Sequence, residues 1–288
     1  MEHKEFTVER DGVVLAGEEV AGNEPEATGR PPIVLLHGLT ATRRYVVHGS
    51  RALPRNGFRT ISYDARGHGE SSAAPAGSGY AYEELAADLV RVLDERVGEG
   101  RAVLAGHSMG AHTIAARALA AADRLAAVVL VSPAVNGTPP SAETRAYWDA
   151  LADGLEGGGV DGFLHAYDRD LNPQWRETIL RITRDRLGLH RDPLAVARAL
   201  REVPRSLPFD SLSELEFLDV PALVVGTHDE ADPGHPYAVA QAWTERLPSA
   251  RLVSEEEGQS PLAWQGGRLS RAIAEFCDED AVRERLEG

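Results

Sequence analysis

One stretch constrains this chain more than any other. Ala102-Val-Leu-Ala105 is a run of small and apolar residues, Gly106-His-Ser108-Met-Gly110 follows at once, and Ala111 to Ala120 is rich in strong helix formers. That order reads as strand, tight turn and helix, with a serine at the apex of the turn. A sharp strand-to-helix turn crowds neighbouring side chains against the backbone, and glycines at 106 and 110 remove the crowding. The turn lifts the Ser108 hydroxyl clear of the sheet and leaves the first N–H groups of the helix pointing beside it. G-x-S-x-G is common by chance; between a strand and a helix it is the pattern of a nucleophile elbow.

The surrounding sequence supplies more of the same unit. Alternation on either side of Asp11-Gly12 predicts a hairpin. Ile33-Val-Leu-Leu36 is wholly apolar, as a strand buried on both faces of a parallel sheet must be. A helix is expected from Tyr45 to about Leu53, a strand over 58–63, and a helix over 83–97, where Leu85, Leu89, Val92, Leu93 and Val97 recur at helical spacing. Another buried strand is expected over 125–131. Strand and helix thus alternate from Ile33 to Val131, which predicts a parallel α/β sheet with right-handed crossovers. From about Ala134 to Leu218 the rhythm stops: Ala142–Leu155, Gly162–Asp170, Gln174–Leu187 and Pro193–Val203 read as helices separated by Gly and Pro. Strands resume at 220–226 and 250–253, with helices over 237–247 and 267–276.

Charge and cysteine usage narrow the function classes. With 45 acidic against 30 basic residues the net charge is −15, which repels phosphate backbones and anionic lipid heads, so neither nucleic acid nor a membrane is an expected partner. The single cysteine, Cys277, excludes an intrachain disulfide. Met1 to Val8 lacks the apolar core of a signal peptide and no run reaches membrane-spanning length, so a cytoplasmic protein acting on a small molecule is expected. Oligomeric state is not legible. The absence of a dinucleotide fingerprint and a P-loop predicts no cofactor, and His228, Asp229, Asp232 and His235 lack a recognised metal-ligand spacing, so no metal is expected.

Three motifs in fixed order, His37-Gly38, Asp64-x-Arg66-Gly67-x-Gly69-x-Ser71 and Gly106-x-Ser108-x-Gly110, resemble the α/β-hydrolase family over nearly the whole chain. The resemblance implies an eight-stranded, mostly parallel sheet flanked by helices. Residues 1–133 and 219–288 would form that core, and 134–218 a helical cap inserted between the sixth and seventh strands. Acyl transfer needs a nucleophile, donors for the oxyanion, a base, and a group that orients the base. Ser108 is the nucleophile candidate and the Met109 N–H one oxyanion donor; the resemblance implies Leu39 as the second. Gly226-Thr-His-Asp229 matches the family's placement of the acid, with Asp232 a second candidate. His37, Gly38 and His107 are expected to wall the pocket; of the cap aromatics Tyr147, Trp148, Phe163, Tyr167 and Trp175, some are expected in the cap's own core and others to give the pocket an apolar lining.

The base departs from the pattern. The family's histidine follows the eighth strand, but that loop reads Ser254-Glu-Glu-Glu-Gly-Gln259-Ser-Pro-Leu-Ala-Trp264, with Gln259 where the base should stand. Neutral glutamine cannot accept the serine proton, and loss of the base costs on the order of 10⁴ to 10⁶ in rate. His235 and an inward carboxylate among Glu255–Glu257 are the alternatives, although such an acidic run is ordinarily solvated. Trp264 would fill part of the vacated volume. The expected activity is hydrolysis of a small, fairly apolar acyl compound such as an ester. The rival readings are a non-catalytic binder that keeps the pocket, and a lyase using the oxyanion site without acylating Ser108.

Overall fold

The structure is a computed structural model that describes residues 1–22, 29–229, 231–256, 259, 264 and 266–287. β1 (Glu2–Arg10) and β2 (Val13–Ala21) pair antiparallel across Asp11 and Gly12, both at positive φ, 49° and 80°. Two consecutive left-handed residues are what a tight hairpin turn demands, and Asp-Gly supplies them cheaply. Six shorter strands follow: β3 (Ile33–Leu36), β4 (Thr60–Tyr63), β5 (Ala102–His107), β6 (Leu125–Val131), β7 (Ala222–Val225) and β8 (Ala250–Val253). They form one sheet in the order β1-β2-β4-β3-β5-β6-β7-β8, parallel from β4 onward. β5, the strand that leads to Ser108, lies between β3 and β6 inside the sheet.

Burial on both faces follows from the apolar runs. In β3, Val34 and Leu36 join one core, with Leu89 and Val92 of α2 (Tyr82–Arg96), Ile114 of α3 (Met109–Ala120) and Trp243 of a later helix. Ile33 and Leu35 face the opposite core, with Leu53 of a four-residue α1 (Ala52–Arg55) and residues from the C-terminal helices. The alternation is the two-residue period of a strand. The helix expected from Tyr45 is instead a run of turns ending in α1, because His48 and Gly49 stand at φ 46° and 68° and break the helical path.

Between β6 and β7 the chain has no strand. α4 (Ala142–Tyr167), α5 (Arg176–Leu187) and α6 (Pro193–Glu202) share a core of their own that includes Leu151, Leu155, Phe163, Leu187 and Leu200. Ser141 caps α4 by accepting the Thr144 N–H at 3.0 Å, and Asp192 caps α6. The two helices expected from 142 to 170 are two arms of α4, joined at Gly159 (φ 59°, ψ −146°). The arms fold back so closely that a Cβ on Gly154 would stand 2.5 Å from the Gly162 carbonyl oxygen. α7 (Tyr237–Arg246), α8 (Gly267–Cys277) and α9 (Asp280–Glu287) complete the fold. No helix among the described residues is long and apolar enough to cross a membrane.

Candidate active site

Ser108 sits at φ 50°, ψ −113°, a region that only glycine visits freely. Holding another residue there costs about 1–3 kcal/mol, and the surroundings enforce it. The Ser108 N–H is tied to the Val131 carbonyl of β6 at 2.9 Å. A Cβ on Gly106 would stand 2.6 Å from the Ala111 nitrogen, and one on Gly110 2.6 Å from the Leu36 carbonyl carbon. β3, the turn and the start of α3 are therefore in backbone contact, which only glycine permits. Met109 opens α3, so its N–H has no carbonyl acceptor inside the helix.

The loop after β3 leans on the elbow. A Cβ on Gly38 would lie 2.8 Å from His107 Nδ1 and 3.4 Å from Ser108 Cβ, so the next residue, Leu39, enters beside the nucleophile. His37 fixes this loop: its Nδ1–H donates to the Gly38 carbonyl at 2.8 Å and its Nε2 accepts the Ala65 N–H at 2.9 Å. Burial depresses its pKa and keeps it neutral, as that pair of bonds requires. From the helical segment, His190 donates Nε2–H to the Thr40 carbonyl at 2.9 Å and accepts the Gly69 N–H at Nδ1 at 2.8 Å. The Leu39 side chain packs against both the core of α4–α6 and the cluster that holds Met109.

The third contributor comes from the loop after β7. His235 Nδ1–H donates to Asp232 Oδ2 at 2.8 Å, and its ring centroid lies 5.2 Å from that of His107, the residue before Ser108. Burial opposes the charged form of the Asp232 carboxyl, but His235, by charge and hydrogen bond, and more remotely His107 and Arg186 bring its pKa down to about 2. An ionised carboxylate can only accept, so Nδ1 is the donor in this bond and Nε2 stands outside the pair. No hydrogen bond joins His235 to Ser108 among the described residues. The carboxylate on this imidazole is Asp232; Asp229 turns its Oδ1 to the Ala231 N–H at 2.9 Å. Three-residue spacing within Asp232-Pro-Gly-His235 was the sequence signal for the pair.

Among its described residues, the loop after β8 presents no base. Glu257 lies outside the described residues, Glu256 is exposed, and Glu255 is buried. Glu255 does turn inward, against the expectation of a solvated run, but it is fully occupied: it accepts from Thr227 Oγ1 at 2.8 Å, the His228 N–H at 2.6 Å and Trp264 Nε1 at 2.7 Å. Burial would raise its pKa, yet these donors hold it below the ordinary carboxylate value, the wrong direction for a base at neutral pH. Trp264 is thus a partner of Glu255. Gln259, expected to line the pocket, is exposed, its amide bonded to Glu256 at 3.2 Å and to Arg268 at 3.3 Å. Polar partners at the surface hold it there.

Residues 31–193 match the sequence pattern of the alpha/beta hydrolase fold family. Epoxide hydrolase A of Mycobacterium tuberculosis is 38% identical over 128 residues, 44% of this chain and 38% of that protein. The sn-1-specific diacylglycerol lipase ABHD11 of Mus musculus is 35% identical over 122 residues, 42% of this chain and 38% of that protein. The matched stretch thus spans well under half the length of these curated relatives. Among solved structures, a thermophilic esterase from Thermogutta terrifontis superposes with a TM-score of 0.75 at 24% identity, covering 98% of this chain and 99% of the other, a likeness of fold.

Proposed function

Because the chain belongs to the alpha/beta hydrolase fold family, we propose that it is a serine hydrolase of small acyl compounds, esters foremost. Ser108 is the nucleophile, and His235, oriented by Asp232, is a base displaced from the family's usual loop. Ser108 Oγ attacks the acyl carbonyl and its proton passes to His235 Nε2. The alcohol leaves with that proton, and water, giving its proton to the same imidazole, attacks the acyl-serine; the acid departs and the proton returns to Ser108 Oγ. The N–H groups of Leu39 and Met109 receive the oxyanion. Residues 134–218 act as the cap, and their apolar core, which takes in Leu39, shapes the acyl pocket. The observation that carries this reading is the Asp232-bonded imidazole beside His107, the residue before Ser108. The test is kinetic. Ser108→Ala abolishes labelling by a fluorophosphonate probe, and His235→Ala lowers p-nitrophenyl butyrate turnover by about 10⁴ or more. Unchanged turnover in His235→Ala removes it as the base.

A second reading, a binder that keeps the pocket without turnover, draws on the loop after β8. Gln259 stands at the family's base position and faces solvent. Failure of the fluorophosphonate to label wild-type Ser108 at any pH favours it.

A further inference from the structure

Arg186, on the last turn of α5, has no ion-pair partner among the described residues. Its Nε is shut off from solvent with no hydrogen-bond acceptor, and the half-buried guanidinium makes no ion pair with any described residue. Its neighbours on the same helix are ordinary: Arg184 pairs with Asp161 at 2.6 Å, and Arg176 pairs with Asp168. In a chain with 45 acidic side chains, a carboxylate for one more arginine is not scarce. Shutting a guanidinium nitrogen off from water without an acceptor is costly, and a bound anion is one way to satisfy the group.

The position of Arg186 says which ligand. The next residue, Leu187, is buried in the core that takes in Leu39, and His190, four residues on, holds the Thr40 carbonyl of the loop beside Ser108. Arg186 lies within electrostatic reach of Tyr45, Tyr167 and His190, and of His107 and Asp232, which flank Ser108 and His235. Asp232 is committed to His235. A planar fork of donors with no acceptor among the described residues matches a carboxylate in both charge and shape. We propose that Arg186 receives a carboxylate at the far end of the acyl chain, so that the preferred substrates are monoesters of short dicarboxylic acids. This rests on the serine-hydrolase reading for its chemistry but not for the binding.

The experiment compares monomethyl glutarate with its neutral analogue methyl valerate, followed by proton release. In Arg186→Met the ratio of kcat/KM for the anionic over the neutral ester falls about 10- to 100-fold, chiefly through KM. Arg181→Met, an exposed arginine on the same helix, keeps the wild-type ratio. A ratio unmoved in Arg186→Met, whether both esters slow together or neither does, overturns the proposal. Calorimetric binding of monomethyl glutarate to Ser108→Ala, with and without Arg186→Met, separates the two readings. Arg186-dependent binding in a protein that turns over no ester sinks the hydrolase and keeps the anion site; binding indifferent to Arg186 sinks the site whatever the turnover.

Discussion

At the residue scale the strain at Ser108 is the most direct trace of function. Nothing in the packing of α3 needs a side chain at φ 50°, ψ −113°, and glycine would sit there without penalty. Ser108→Gly is therefore expected to raise stability by about 1 kcal/mol over wild type while eliminating probe labelling, and Ser108→Ala to eliminate labelling without that gain. Denaturant midpoints of the three proteins decide it. If glycine is no more stable than serine, the strain is absent in solution. The G-x-S-x-G signal was legible because glycine is demanded by backbone contacts that any sequence at this turn must satisfy. The Asp232–His235 pair was only half legible, since two carboxylates lay within reach of one imidazole along the chain and choosing between them is a matter of loop geometry.

At the element scale, the loops after β7 and β8 are joined by Glu255. Three donors from Thr227, His228 and Trp264 converge on one buried carboxylate. Glu255→Ala leaves the buried ones unsatisfied and is expected to cost about 2–4 kcal/mol in chemical denaturation, with a smaller loss for Glu255→Gln, which keeps one acceptor oxygen. A cost under about 0.5 kcal/mol would mean the donors find other partners. Sequence could not foresee this role, because Glu255, Glu256 and Glu257 are identical as residues and only the path of the chain past β8 turns the first inward. The same holds for the helix expected from Tyr45, where local propensity yielded to two left-handed residues.

At the scale of the whole molecule, the buried histidines set the response to acid. Burial, with smaller effects from the charges of His235 and His107, takes the pKa of His112 to about 3. Burial takes that of His190 to about 4, and His37 and His68 are lowered as well. His112 shows the consequence in its bonds: its Nδ1–H meets Tyr82 Oη at 2.8 Å while Nε2 accepts the Ala134 N–H at 2.9 Å. The unfolded chain protonates each ring near pH 6.5, and the folded chain only well below it. Between those limits the unfolded state binds more protons, so stability is full above about pH 6.5 and falls with pH, by about 1.4 kcal/mol per unit for each such histidine. The denaturant midpoint should drop steeply between pH 7 and pH 5; a flat profile would show that these rings are already charged in the folded protein.

The sequence by itself determined the alternation of strands and helices, the antiparallel hairpin, the strand-free segment between β6 and β7, and the serine at the turn. Each is set by a local period or by steric rules that act over a few residues. Only the tertiary structure decided that Asp232 holds His235, that Glu255 is buried, that Gln259 faces solvent, and that Arg186 has no ion-pair partner among the described residues. Those outcomes depend on which distant segments meet, and burial and charge at a meeting point are properties of the fold, not of the residues taken in order.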